Sequence, residues 1–204
     1  MRPMRYLYAA TLLVLAVCSC KKDDVIYAPP TTPSHEDNRM MKEMHEMMRM
    51  MDTMNMSGDP DTHFVKMMKM HHKGAINMSK IITSEGKNSF IKSMADKMIT
   101  SQTKEISELD SFLINHVSHA ENKEFNMKME TSMMKMHKNA DLQYLNGDLD
   151  HDFATLMIQH HQSAVEMADL VIHYGHETVI ANMAAKMKED QEKEIGELQD
   201  WLLK

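Results

Sequence analysis

Cysteine is nearly missing from this 204-residue chain: both copies, Cys18 and Cys20, fall within the first 20 residues. The body of the protein therefore has no thiol, which excludes a disulfide scaffold, a thiolate zinc site and a cysteine nucleophile. Proline (5) and glycine (6) are scarce, which favours long helices over a turn-rich β architecture. Aromatic residues make up only 5%. An excess of positive charge is missing too: the formal charge is −7, with lysines intermixed with acids. Such mixing reads as solvated helix faces and argues against nucleic acid as a partner. The length admits one domain, or two small ones, with a sizeable core.

The N-terminal apolar stretch, "YLYAATLLVLAV", is too short to span a bilayer comfortably. Arg2 and Arg5 precede it and "VCSC" follows, which predicts a lipoprotein signal over residues 1–19 and a lipid on Cys20. An ordinary secretory signal cut nearby is the alternative. Cys18 suits lipidation less well, because Val17 would occupy the cleavage position. "KKDD" after Cys20 resembles the charged export tag of surface lipoproteins in the Bacteroidetes group. Residues 20–38, with "APPTTPSHEDN", read as a tether.

Methionine is what abounds: 26 residues, beside 13 histidines. "MMKEMHEMMRMMDTMNM" holds nine Met in 17 residues, more than one buried helix stripe can use. It predicts a Met-rich helix over 39–57. Helices then follow at about 62–84, 89–117, 122–145, 151–173 and 178–203, with breaks at "SGDPD", "SEGKN" and "NGDLD". The chain also repeats itself. With an offset of 89, residues 61–113 align on 150–202 without a gap, with 20 identities in 53 positions. A single hairpin cannot bury its apolar stripe. The expectation is thus an all-α four-helix bundle over 58–204, built from two duplicated hairpins. The helix at 122–145 connects them, and the Met-rich helices are appended arms.

Phe64, Met68, His71, Ala75, Met78 and Ile82 form a seam with spacings of four and three, so His71 faces the partner helices and His72 lies beside the seam. Phe153, Met157, His160, Ala164, Met167 and Val171 repeat it, with His161 alongside. Gly74 and Ala75 would leave room next to the imidazole. Folding the first hairpin about Gly86 brings Met98, Gln102 and Glu105 towards His71. The second copy offers Met187, Gln191 and Glu194.

A buried His bonded to a Glu, amid Met used as core filler, is the plain reading of one such cluster. Paired His, duplicated beside thioethers, favour metal instead. Thioether sulfur suits Cu(I) rather than hard cations or zinc. No Glu-x-x-His di-iron motif and no HExxH motif is present. The expected copper ligands are Met68, His71, His72, Met98, Met157, His160, His161 and Met187. Gln102, Glu105, Gln191 and Glu194 would orient the imidazoles. Met78 and Met167 are further donors, with core packing the simpler role. Met44, Met47, Met48, Met51, Met133, Met136 and His137 would hold weaker, exchangeable metal in the arms.

The string D-x-x-F-x-x-x-M-x-x-H-H-x-x-A-x-x-M, whole at Asp61–Met78 and Asp150–Met167, resembles the signature of the bacterial domain of unknown function 305 family. "EIGELQDWL" closes the chain in keeping with it. The resemblance covers about 61–204. It implies a ferritin-like four-helix bundle, secretion or membrane anchoring, and a link to copper binding and tolerance. The expected protein is a non-enzymatic, lipid-anchored copper binder of the cell envelope. It would hold Cu(I), with Cu(II) or Ag(I) as alternatives, for sequestration, tolerance or delivery to a protein partner, alone or as a homo-oligomer. The rival is a metal-free interaction module using Met-rich surfaces; a metal oxidase has weaker support.

Overall fold

The computed structural model describes residues 35–54 and 59–204. The expected signal segment, Cys20 and most of the tether lie outside them. A short 3-10 turn at His35–Asp37 leads into six α-helices: α1 (Arg39–Asp52), α2 (Pro60–Glu85), α3 (Ser89–Asn115), α4 (Lys123–Asp141), α5 (Leu149–Tyr174) and α6 (Thr178–Leu202). The protein is an all-α helical bundle. None of the described helices is long and apolar enough to cross a membrane.

Asparagine and aspartate start these helices by accepting the first free amides. Asn38 serves Met40 and Met41, Asn88 serves Phe90 and Ile91, and Asp148 serves Asp150 and His151. Asp59 caps α2, with Pro60 in the first turn, and also takes a bond from His116. Burial would raise its pKa, but the bonds from Thr62 and His116 outweigh that and hold it at about 2. Its contribution to stability is therefore complete above the ordinary value of 3.8 and disappears as pH falls towards 2.

α2 and α5 pack together at the centre, with α3 folded back on α2 and α6 on α5. The two hairpins lock reciprocally. Asp150, at the start of α5, accepts from the amides of Lys87 and Asn88 ahead of α3 (2.9 and 3.0 Å). Asp61, at the start of α2, accepts from His176 and Glu177 ahead of α6 (2.8 and 3.3 Å). Each carboxylate thus caps the return helix of the other hairpin. The repeated glycines serve this contact: a methyl at Gly86 would fall 2.8 Å from Asp150 Oδ1, and one at Gly175 would fall 2.7 Å from Asp61 Oδ1.

The Met-rich helices are not appended arms, which corrects the sequence expectation. α1 packs on α2 and α4 on α5, and Met40, Met41, Met44 and Met129 are fully buried. Each buried Met side chain contributes roughly 1.5–3 kcal/mol. Apolar burial therefore drives the docking of α1, and the solvent-screened Arg39–Glu85 ion pair adds little. Gly74, read as leaving room beside an imidazole, instead admits α1. A methyl there would sit 2.4 Å from Met47 Sδ.

Asp150→Ala should leave two amides at the start of α3 uncapped. We expect a loss of about 1–3 kcal/mol in denaturant unfolding. Hydrogen exchange should speed up selectively at Lys87 and Asn88.

Candidate metal centre

At the α2–α5 crossing, His71 and His160 lie against each other with ring centroids 3.5 Å apart and planes tilted by 36°, and neither is exposed. His160 Nε2 lies 2.9 Å from the carbonyl of His71. A carbonyl only accepts, so His160 carries its proton on Nε2 and presents a bare lone pair at Nδ1. Ser163 donates to the His160 carbonyl at 2.8 Å, so its oxygen accepts from His71 Nε2 at 2.7 Å. The same reasoning bares Nδ1 of His71. Burial above all, then the neighbouring imidazoles, hold both pKa values well below the ordinary 6.5.

His72 and His161 point outward from this pair towards α3 and α6. His72 Nε2 lies 2.7 Å from Glu105 Oε2, and His161 Nε2 lies 2.8 Å from Glu194 Oε2. Neither contact is aligned as a hydrogen bond, although both imidazoles are fully buried. Close but misaligned N and O atoms are what two ligands of one ion present, because both lone pairs aim at a third point. The described residues contain ten buried side-chain N or O atoms without a hydrogen bond. Eight belong to His71, His72, Gln102, His160, His161 and Gln191. Native interiors leave few such atoms, and leaving one unsatisfied costs about 1–3 kcal/mol. Four of the six residues are the histidines of α2 and α5, which makes this the candidate ligand site among the described residues.

The motif bearing these histidines matches a family model described as a domain of unknown function (DUF305), over residues 61–202. The chain belongs to the DUF305 family. A DUF305 protein of Streptomyces coelicolor, described as a candidate secreted protein, shares the fold with a TM-score of 0.56 and 24% identity, over 71% of this chain and 91% of that one. A DUF305 fragment from Deinococcus radiodurans shares it with a TM-score of 0.52 and 19% identity, over 70% of this chain and 95% of that one. No curated protein matches the chain.

Within this DUF305 frame the expected residues divide. Met68 and Met157 are fully buried, one turn before His72 and His161 on the same faces. Met98 is displaced. Its sulfur lies 4.0 Å from Ser79 Oγ, seven residues beyond His72 on α2, or about 10 Å along the axis. The level estimate from folding about Gly86 is wrong because residues 86–88 form a three-residue link, so the hairpin turns nearer Asn88. Met187 also departs from a within-hairpin cluster. It lines, together with Glu105 of the other hairpin, a groove of about 760 Å³ between α3 and α6. Met78 and Met167 are fully buried in the core.

Of the residues assigned to weaker sites, Met48, Met51, Met133 and His137 line one cavity of about 400 Å³, together with Met67 and Met134. Met44 and Met47 are core residues instead. Met136 reaches the crossing, where its sulfur lies 3.0 Å from Ser163 Oγ. No sequence pattern marks Ser163. Its link between Met136 and His71 spans three helices and leaves no spacing signal.

Both central imidazoles are neutral in the fold and gain a proton on unfolding. Below about pH 6.5 the unfolded chain binds more protons, so stability is complete above that value and falls with decreasing pH. Chelator-treated protein, unfolded with denaturant between about pH 5 and 8, should show this slope. Replacing His160 with Asn should flatten it.

Proposed function

We propose that this DUF305 protein binds copper at two pseudo-symmetric sites flanking the α2–α5 crossing. The observation that carries the reading is the off-axis contact of each fully buried imidazole with a carboxylate, His72 with Glu105 and His161 with Glu194. The bare Nδ1 atoms of His71 and His160 and the amide oxygens of Gln102 and Gln191 add donors. Imidazole with thioether suits Cu(I), while imidazole with carboxylate and amide oxygen suits Cu(II). The set accommodates both states without a thiolate.

The thioethers come partly from the opposite hairpin. Met187 shares a groove with Glu105. By the duplication, Met98 serves the Glu194 side. Met68 and Met157 complete the sulfur donors from one turn below. Copper is cargo on this reading, held for sequestration, tolerance or delivery. An extracytoplasmic location, with a lipid on Cys20, fits the N-terminal signal and the description of the Streptomyces relative as a candidate secreted protein. The interaction-module reading has less support, because the methionine faces of α1 and α4 are largely used inside the molecule.

Titration with Cu(I) against a competing chelator tests this. His72→Ala with His161→Ala should remove two tight equivalents. Met187→Leu with Met98→Leu should weaken Cu(I) more than Cu(II), and Glu105→Gln with Glu194→Gln the reverse. Unchanged binding in the histidine pair would overturn the proposal.

A further inference from the structure

α1 and α4 meet at a second cluster of metal-binding groups, apart from the crossing. His45 Nε2 lies 2.9 Å from Asp141 Oδ1, and His137 Nε2 lies 3.4 Å from Asp141 Oδ2. The ring centroids of the two histidines are 5.6 Å apart. One carboxylate thus divides its two oxygens between imidazoles from two helices. His137 and Asp141 share a face of α4 at i, i+4 spacing, and His45 reaches across from α1. One ligand atom from each of the three residues lies within 4.8 Å of the others. Small side-chain rotations would gather them around one ion at the usual distances of about 2.0–2.2 Å.

Their chemistry differs from that of the crossing. No thioether belongs to the trio, and the side chains of His45, His137 and Asp141 are 30%, 48% and 44% exposed, so ions enter from solvent without opening the bundle. Two imidazoles and a carboxylate are nitrogen and oxygen donors suited to Zn(II), Ni(II) or Cu(II) rather than Cu(I). The site also has a structural consequence, since its ligands come from the two Met-rich helices that cover α2 and α5.

We infer that His45, His137 and Asp141 bind one divalent transition-metal ion that clips α1 to α4. The site is independent of the copper sites and stands or falls without them. An ion bound there stabilises only the state in which α1 is docked. Saturation therefore raises the unfolding temperature by mass action.

Zn(II) is the probe, added to the purified full chain and followed by calorimetric titration and thermal unfolding. Wild-type protein should bind Zn(II) and melt at higher temperature with it. Outer partners of a metal are by themselves worth roughly 10–100-fold in affinity, so His45→Ala with His137→Ala should lose at least that at this site, together with its thermal shift. Asp141→Asn, which preserves side-chain shape, should weaken Zn(II) in the same direction should the double variant fold poorly. His72→Ala with His161→Ala should keep the α1–α4 site. Two results would overturn the inference: unchanged Zn(II) binding in the His45/His137 and Asp141 variants, or complete loss of Zn(II) binding in the His72/His161 variant. Cu(I) titration of the same proteins separates this outcome from a failure of the copper sites.

Discussion

The close approach of His71 and His160 sets the geometry on which the rest of the molecule depends. Two uncharged imidazoles at a centroid distance of 3.5 Å fix how α2 and α5 cross and how each helix is rotated. Once His71 faces the crossing, the 100° step of an α-helix carries His72 round to α3, where Glu105 waits. The same step carries His161 to Glu194 on the opposite side. The pairing of Asp61 and Asp150 with the start of the opposite return helix then holds each hairpin against the other. A duplicated sequence thereby becomes a single interior with two equivalent flanks. The arrangement is expensive in unsatisfied lone pairs, and a bound ion is the partner that would repay them.

Methionine has two roles in this frame, separated by position rather than by residue type. On α1 it is mostly packing, as Met40, Met41 and Met44 disappear into the core and Met47 fits over the backbone of Gly74. An unbranched, flexible side chain suits the irregular gap between a short helix and a bundle surface. In the cavity beside His137 several thioethers share a lining with an imidazole, and Met136 meets Ser163 at the crossing; on the proposed reading these polarizable sulfurs are the soft donors. On that reading leucine could replace the first group with modest loss but not the second.

Much of the fold was legible in sequence. Heptad-like spacing and the breaks at "SGDPD", "SEGKN" and "NGDLD" put the helices of the two hairpins within a few residues of their observed bounds. The offset of 89 revealed the repeat. Helical spacing placed Glu105 on the face turned to the paired histidines, whereas its contact with His72 rather than His71 emerged only in the fold. What stayed hidden depends on axial offsets and on contacts between distant segments. Three non-helical residues between α2 and α3 shift the level of Met98 by more than a turn, and periodicity carries no information about that shift. The docking of α1 depends on a complementary surface at Gly74 that only the assembled bundle presents. The i, i+4 pair His137 and Asp141 was visible in "HKNAD", whereas His45 joins it only once α1 and α4 are side by side.

On the proposed reading the buried histidines hold metal rather than merely hold the helices together. Anomalous diffraction at the copper edge, from crystals of the full chain loaded with copper, tests it most directly. Two peaks related by the pseudo-twofold of the hairpins are expected, one beside His72 and Glu105 and one beside His161 and Glu194. Copper found only among the methionines of α1 and α4, or no peak at the α2–α5 crossing, would contradict it.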